Sequence, residues 1–277
     1  MMRIQLSWVT VTVAALALLA VMVWRPGVSG LVVAGKKPFP TTPTEPDQGS
    51  TPVLVELFTS EGCSSCPPAD ELLSLLGQSQ PVHGADVIAL EEHVDYWDNL
   101  GWKDPFSSEA ATARQGEYGV AFGGKQIYTP QMVVDGRMEF VGSSDVDALR
   151  AIHSASQKPK PAIQLSWQKE DELSIHFDAL PYPSAGDTAQ LFLAVSENML
   201  RSDVKHGENA GHALEHNGVV RQLLPLGKVD AGPAGFSSTV AVHADRDWNR
   251  ANLRAVVFEQ ERRSRHILAA GAIDFPK

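Results

Sequence analysis

The sequence predicts two folded units, an α/β domain at residues 52–157 followed by a mostly β, sandwich-like domain at residues 161–277. Three observations lead to this prediction. In the first unit, apolar strand-like runs alternate with amphipathic helical stretches. In the second unit, one strand-like run follows another. Between them lies "QKPKPA", whose prolines and charged residues lack apolar periodicity, as is typical of a linker.

The first 30 residues predict a targeting signal. Arg3 precedes an almost uninterrupted apolar run that ends at Trp24. Such a run exports the protein either as a cleaved signal peptide or as an uncleaved membrane anchor at residues 4–24. Residues 31–51 are rich in proline, threonine and glycine and predict a flexible tether. We therefore expect a periplasmic or otherwise extracytoplasmic protein, held at the inner membrane if the signal is not cleaved.

Each element of the first unit has a local signal. "PVLVELFT" is rich in β-branched and aromatic residues and predicts a buried strand. "CPPADELLSLLG" predicts a helix, because prolines suit a first helical turn, and Gly77 is expected to end it. The order continues with a strand in "DVIALEEHV", a helix in "SSEAATARQGEYGVAF", a hairpin turning at Asp135-Gly136 and a capped helix in "SSDVDALRAIHSAS".

The second unit contains strand-like runs separated by turns, from "AIQLSWQ" to "HILAAGAI". Among them, "KHGENAGHALEHNGVV" holds His206, His212 and His216. The spacing of these histidines matches no standard zinc motif, and polar loops between strands often carry histidine. A polar loop is therefore favoured over a metal site here.

Composition and motifs exclude several classes of function. With 33 acidic against 23 basic residues, the chain has a net charge of −10 and no basic patch, which argues against nucleic acid as a partner. No Walker loop, GxGxxG turn, GxSxG elbow or HExxH pair occurs in the sequence. We therefore expect no organic cofactor and none of the common hydrolase mechanisms.

The only two cysteines, Cys63 and Cys66, lie between a predicted strand and a predicted helix. A structural disulfide in so short a loop would remove little entropy from the unfolded chain. Structural zinc sites commonly take two cysteine pairs or one pair plus two histidines, and this chain has no second cysteine pair. A soft metal such as copper could bind both thiolates together with His93. Thiol–disulfide exchange is favoured, since a helix N-terminus stabilises the thiolate of an attacking Cys63 while Cys66 resolves the mixed disulfide.

Two further positions are candidates for this chemistry. In the thioredoxin fold, the cysteine pair faces a loop with a cis X-Pro bond, and Thr129-Pro130 directly precedes a predicted strand where that loop should lie. Its backbone edge would dock a peptide. Glu56, an acid in an otherwise apolar strand, is either a proton relay to the resolving cysteine or a solvated strand-end carboxylate. Glu61, if close to Cys63, would oppose formation of its thiolate.

An aromatic and acidic loop, "EEHVDYWDNLGWKDPF", follows the second strand. It would either form a rim beside Cys63 that grips a peptide or pack its aromatic rings to order a long loop, and packing is favoured. His93 and Asp95 are the groups in this loop that could act as a metal ligand or a base.

Four segments resemble an exported bacterial family known as domain of unknown function 1223. They are "VELFTSEGCSSCPPAD", "HVDYWDNLGWKDPF", "YTPQMVVDG" and "GENAGHALEHNGVVRQLLPLG". The resemblance implies a thioredoxin-like domain and an exported location, and it carries over Cys63 and Cys66 as the cysteine pair and Pro130 as the loop proline. It implies no particular substrate.

The sequence thus predicts an exported thiol–disulfide oxidoreductase that acts on protein thiols or disulfides in the cell envelope. Cys63 and Cys66 would exchange electrons, and Thr129 with Pro130 would shape the docking edge. Two alternatives stay open. One is a soft-metal carrier that uses Cys63, Cys66 and His93, and the other is an interaction protein whose cysteines form an inert disulfide.

Overall fold

Strands dominate the part of the chain that this computed structural model describes, residues 49–124, 126–179, 181–228 and 235–277. The predicted signal at residues 1–30 and nearly all of the tether lie outside these residues. Within the described ranges, no helix has the length and apolar character required to cross a bilayer. The helices are α1 (Pro67–Ser79), α2 (Glu109–Ala121), α3 (Asp145–Ser156) and a short 3-10 helix (Arg250–Asn252). The strands are β1 (Thr51–Thr59), β2 (Ala85–His93), β3 (Gln131–Val134), β4 (Met138–Val141), β5 (Gln164–Lys169), β6 (Glu172–Phe177), β7 (Ala189–Glu197), β8 (Leu200–Asp203), β9 (Ala213–His216), β10 (Val219–Gly227), β11 (Phe236–Ala241), β12 (Leu253–Glu261) and β13 (Ile267–Asp274).

One mixed sheet of eight strands runs through both halves of the described chain, in the order β13-β12-β7-β10-β2-β1-β3-β4. Strands β1 and β2 are parallel, and β3 is antiparallel to β1. The two halves meet where β10 runs parallel to β2, with Val219 opposite Glu91. The Glu91 N–H donates to the carbonyl of Gly218 at 2.8 Å. Strand β10 thereby pairs with the edge of β2 at this position.

The predicted fold class, an α/β thioredoxin-like domain followed by a separate mostly β, sandwich-like domain, is wrong. The structure is mostly β, and the strands of the first half form one end of a large sheet that the second half completes. The described residues fall within one compact unit. The local patterns could not indicate the pairing of β10 with β2, because these strands are far apart in the chain. The boundary at residues 157–161 lies between α3 and β5 and stays a prediction.

Apolar side chains cover both faces of the large sheet. Helices α1 and α3 pack on one face of β1, β2 and β3. On the other face, Leu54 and Leu90 share a buried cluster with Phe258 and Ala270 of the C-terminal strands. A second sheet, in the order β11-β6-β5, packs against β7, β12 and β13. Since one fully buried leucine or phenylalanine contributes about 1.5–3 kcal/mol, the cluster around Leu54 opposes separation of the two halves.

Helix α1 continues past the glycine that was expected to end it. Gly77 lies inside the helix because it faces β2, where an added Cβ would come 3.1 Å from the Cβ of Ala89. The helix ends at Ser79, and the next residue, Gln80, has a left-handed backbone with φ of 44°. The Gln80 side chain donates to the Gly77 carbonyl at 2.9 Å and accepts from the N–H of Val87 at 2.8 Å. Packing against β2 therefore decided where α1 ends.

The sequence predicted one of the following two hairpins and missed the other. The predicted hairpin at Asp135-Gly136 is confirmed, since both residues have positive φ and join β3 to β4. The hairpin of β8 and β9, in which Leu200 lies opposite His216, was not predicted. Its connecting residues 204–212 lie in the stretch that the sequence indicated as a polar loop.

Candidate functional site

The cysteine pair lies in the loop between β1 and α1. Cys66 directly precedes the helix, and its carbonyl accepts from the N–H of Ala69 at 2.8 Å. Cys63 and Cys66 form a disulfide with their Cα atoms 5.4 Å apart, and both residues are buried. Ser64 and Ser65 between them are exposed. Disulfides persist in oxidising compartments, so this bond indicates an extracytoplasmic environment.

Residues 204–212, which we call the cap, cover the cysteine loop. The amide nitrogen of Asn209 donates to the carbonyl of Glu61 at 2.8 Å and to that of Cys63 at 3.0 Å. A carboxylate oxygen of Glu208 accepts from the backbone N–H of Ser64 at 3.1 Å and from its hydroxyl at 2.6 Å. These bonds help to leave Cys63 only 1% exposed. The cap thus closes the disulfide off from solvent in this structure.

The predicted loop proline lies on the same side of the molecule as the cysteine loop. The Thr129–Pro130 peptide bond is cis. The indole nitrogen of Trp97 donates to the Thr129 hydroxyl at 2.9 Å, and the same Trp97 packs so closely on Gly62 that an added Cβ there would lie 3.1 Å away. Trp97 therefore connects the residue before Cys63 with the proline loop.

Glu56 is not brought to the cysteines. Along β1, Val55 and Leu57 face α1, whereas Glu56 lies on the opposite face of the sheet. It is fully buried, which excludes a solvated carboxylate. Its carboxylate accepts from Arg114 Nε at 2.5 Å and from the Tyr118 hydroxyl. Its proton-relay role stays a prediction that these contacts do not favour.

Glu56 belongs to a group that we call the arginine cluster, formed by Glu56, Arg114, Tyr118 and Gln260. Arg114 Nη1 donates to the Gln260 carbonyl oxygen at 3.1 Å, and the Gln260 amide donates to the Tyr118 hydroxyl at 2.9 Å. The guanidinium also lies 5.3 Å from the centre of the Phe258 ring. The cluster joins β1, α2 and β12, so it links the two halves of the described chain.

A second buried group, the histidine cluster, lies beside the cysteine loop and consists of Glu61, Glu91, His93, Asp104 and His216. His93 Nδ1 is 2.7 Å from an Asp104 oxygen, and His216 Nδ1 is 2.8 Å from Glu91 Oε1. On the other sides of the two rings, His93 Nε2 is 3.4 Å from Glu91 Oε1 and His216 Nε2 is 3.3 Å from Glu61 Oε1. All five residues are at most 2% exposed. The cluster joins the cysteine loop, β2, the aromatic loop and β9.

Three atoms of the histidine cluster lack a hydrogen bond within the described part of the chain. They are His93 Nε2, His216 Nε2 and Glu61 Oε1, and the contacts of 3.3–3.4 Å do not have hydrogen-bond geometry. Buried polar atoms are nearly always bonded, so three such atoms in one cluster need an explanation. Glu91, His93 and His216 can each present one ligand atom with all three atoms within 4.8 Å of one another.

Ion pairing dominates the electrostatics of the histidine cluster. Burial alone would lower the pKa of His93, but Asp104 and Glu91 raise it to about 10. Burial likewise opposes charge on His216, whose pKa Glu91 and Glu61 raise to about 11. In return, the two imidazoliums overcome the effect of burial on Glu91 and lower its pKa to about 2. Without another cation, the cluster therefore holds both histidines protonated.

The structure revises several predictions about histidines and the aromatic loop. His206 and His212 are exposed on the cap, as a polar loop implies, but His216 is buried at the end of β9, so that interpretation was wrong for His216. Exposed and buried residues alternate along "ALEH", with Leu214 and His216 both buried. This strand-like alternation is the sequence pattern from which a buried His216 could have been predicted. Asp95 accepts a hydrogen bond from Thr112 at the start of α2 and takes no part in either cluster.

The aromatic loop is packed against the cysteine loop. Trp102 donates to a Glu61 carboxylate oxygen at 2.7 Å, and Phe106 packs edge-on against both clustered histidines. Glu61 thus directs its carboxylate to Trp102 and His216. His93, predicted as a soft-metal ligand together with the cysteines, instead lies among carboxylates and His216. The Cys63–Cys66 bond also occupies both sulfurs, and the alternative three-residue metal site stays a prediction.

Comparison with known proteins places the chain in a family. Residues 54–260 match the family described as "Protein of unknown function (DUF1223)". The chain belongs to this family. The predicted resemblance to domain of unknown function 1223 is thereby confirmed. No curated protein matches the chain.

Two solved structures resemble this DUF1223 member over most of its length. One is the crystal structure of protein AGR_C_4864 from Agrobacterium tumefaciens, with 28% identity, a TM-score of 0.63 and coverage of 83% of this chain and 96% of that one. The other is HBP35 of Porphyromonas gingivalis, with 17% identity, a TM-score of 0.58 and coverage of 83% and 77%. At 17% identity the second likeness concerns the fold alone.

Proposed function

We propose that the protein is an exported thiol–disulfide oxidoreductase that acts on proteins of the cell envelope. The observation that carries this proposal is the Cys63–Cys66 disulfide at the junction of β1 and α1. A cysteine at a helix N-terminus experiences the positive end of the helix dipole, which stabilises a leaving or attacking thiolate. The short loop also gives the bond little structural value, because it closes only two intervening residues.

The oxidised form would accept two electrons from a substrate dithiol. A substrate thiolate attacks the sulfur of Cys63, a new sulfur–sulfur bond forms, and Cys66 leaves as a thiolate that takes up a proton. The second substrate thiolate then attacks the substrate sulfur of this mixed disulfide, and Cys63 leaves as a thiolate. The substrate ends as a disulfide and the protein as a dithiol. The reverse sequence reduces a substrate disulfide, with the Cys63 thiolate as the attacking group.

Access to Cys63 requires the cap to move. Glu208 and Asn209 hold the cap on the cysteine loop through four hydrogen bonds to Glu61, Cys63 and Ser64. The bonds of Glu208 are exposed, so water competes for them. A substrate chain could replace Asn209 at the same carbonyl groups, and the nearby Thr129–Pro130 edge would supply further backbone contacts.

Reduction and trapping of the full-length protein test this proposal. We expect the purified oxidised chain to oxidise a reduced, unfolded test protein, with equilibrium potentials between roughly −120 and −270 mV. The Cys66→Ser variant should accumulate a mixed disulfide through Cys63, and the matched Cys63→Ser variant should accumulate far less. A bond that stays oxidised throughout this range would show that the disulfide is inert and would refute the proposal. Equal trapping by the two variants would refute the assignment of Cys63 as the attacking group.

A further inference from the structure

We propose that Glu91, His93 and His216 bind a divalent transition-metal ion, with zinc favoured by the donors. The site is distinct from the cysteine pair. It does not depend on thiol–disulfide exchange. Imidazole nitrogen and carboxylate oxygen are ligands that zinc commonly takes in proteins, and two histidines with one glutamate are a known set of three protein ligands.

The spacing of the donor atoms fits tetrahedral coordination. Ligand atoms 2.0–2.1 Å from a tetrahedral zinc ion lie about 3.3 Å from one another. Glu91 Oε1 lies 3.4 Å from His93 Nε2 and 2.8 Å from His216 Nδ1, and one ligand atom from each of the three residues fits within 4.8 Å of the others. His93 Nε2 has no hydrogen bond among the described residues. These three atoms are therefore placed to bind one shared ion.

The surroundings of the ligands match those of protein metal sites. A histidine that binds metal through one ring nitrogen usually donates the other N–H to a carboxylate, which fixes the ring. His93 has this arrangement, with Nδ1 at 2.7 Å from Asp104 Oδ2. Asp104 is itself held by the N–H groups of Glu61 at 2.8 Å and Phe106 at 2.9 Å. For His216 the ligand atom is Nδ1, and the other ring nitrogen, Nε2, lies 3.3 Å from Glu61 Oε1. The second oxygen of Glu91 accepts from the Asn217 N–H at 3.1 Å.

Burial indicates a structural rather than a catalytic ion. The three ligands are at most 2% exposed, so the site is closed to solvent. Zinc sites that catalyse keep an open position, whereas structural sites are closed. The ion would fasten the end of β9 through His216 onto β2, and the Nε2 side of His216 faces Glu61 of the cysteine loop. Since the cap precedes β9 directly, the ion would also hold the base of the cap.

Metal titration of the oxidised full-length chain, purified with a tag free of histidine, tests the site. After treatment with a chelator and desalting, the protein should bind about one zinc ion per chain and melt at a higher temperature when loaded. With Co²⁺ in place of zinc, the visible spectrum should show tetrahedral coordination by nitrogen and oxygen, without sulfur charge transfer. A folded wild-type chain that binds no metal would refute the site and leave the cluster as an ion-pair network only.

Variants separate this site from the alternatives. His216→Ala and the more conservative Glu91→Gln should each weaken zinc binding by at least about tenfold, and circular dichroism shows whether each variant is folded. His212→Ala, which removes an exposed histidine of the cap, is the matched control and should bind normally. The double variant Cys63→Ser, Cys66→Ser should also bind normally, although it abolishes thiol exchange. Loss of zinc in that double variant would assign the metal to the cysteines and overturn the proposal.

Discussion

The arginine cluster and the histidine cluster solve the problem of buried charge in different ways. In the arginine cluster, every side-chain nitrogen and oxygen of its four residues has a hydrogen-bond partner. In the histidine cluster, three atoms have none among the residues described, although all five side chains are as deeply buried. Removing charge from water is costly unless its partners are complete. The first arrangement is therefore complete among its four residues, although Oε1 of the neighbouring Glu92, 3.6 Å from Arg114 Nε, has no hydrogen bond in the described chain. The second leaves His93 Nε2 available to the proposed ion.

The largest expected effect comes from breaking the arginine cluster. Arg114→Met should lower the free energy of unfolding by about 3–5 kcal/mol, because it leaves the Glu56 carboxylate buried without its cation. Urea denaturation measures this change. Arg150→Met is the control, since Arg150 forms only an exposed pair with Asp147 at 2.9 Å and should change stability by less than about 1 kcal/mol. Similar losses of unfolding free energy in the two variants would show that the buried network contributes no more to stability than an exposed ion pair.

Glu259, which lies outside both clusters, is a third case of a buried acid, and its carboxyl group keeps its proton to a higher pH than usual. Both side-chain oxygens of Glu259 lack a hydrogen bond within the described ranges, and burial together with repulsion from Glu261 raises its pKa to about 7. Because this pKa is higher in the folded than in the unfolded protein, the site favours folding below about pH 4.5 and loses that contribution as the pH rises through 7.

Glu259→Gln should therefore remove this dependence on pH. The free energy of unfolding of the variant minus that of wild type should increase by on the order of 3 kcal/mol as the pH rises from 4 to 8. Urea denaturation of both proteins at each pH measures the difference. Glu172→Gln, at the partly exposed first residue of β6 in the small sheet, serves as control. A difference between Glu259→Gln and wild type that stays constant with pH would contradict the raised pKa of Glu259.

Within the histidine cluster, Asp104 distinguishes a metal site from a set of ion pairs. Asp104→Asn keeps the shape of the side chain but weakens the bond that orients His93, so the affinity for zinc should fall by about 10–100-fold. Calorimetric titration of the oxidised protein measures the affinity. Asp95→Asn, in the same loop but outside the cluster, should leave it unchanged. Equal affinities for wild type and Asp104→Asn would show that Asp104 does not orient a ligand.

The smallest effect is expected at the cap. Glu208→Ala removes both hydrogen bonds to Ser64 and should speed reduction of the disulfide by about 2–10-fold, because the cap is held less firmly on the cysteine loop. The initial rate with dithiothreitol, followed by thiol trapping, measures this. Glu215→Ala on neighbouring β9, whose carboxylate makes only a 3.8 Å contact with Arg201, is the matched control. An unchanged rate in Glu208→Ala would mean that the cap does not limit access.

Local elements and the cysteine pair were predictable because their signals lie within short segments. The strand before Cys63, the helix after Cys66 and the hairpin at Asp135-Gly136 follow from apolar periodicity, helix-start residues and turn chemistry. The family could also be identified from segments of the chain. Gly77 shows the limit of such signals, since packing against Ala89 overrode its tendency to end a helix.

The sequence by itself determined the order of most elements, the Cys63–Cys66 pair and the family. Only the tertiary structure decided that both halves share one sheet, that Glu56 meets Arg114 behind that sheet, and that His216 meets His93 beside the cysteine loop. The physical reason is that these arrangements depend on pairing between strands far apart in the chain. Once β10 pairs with β2 at Val219, the preceding strand β9 carries His216 to Glu91, a contact that no local pattern encodes.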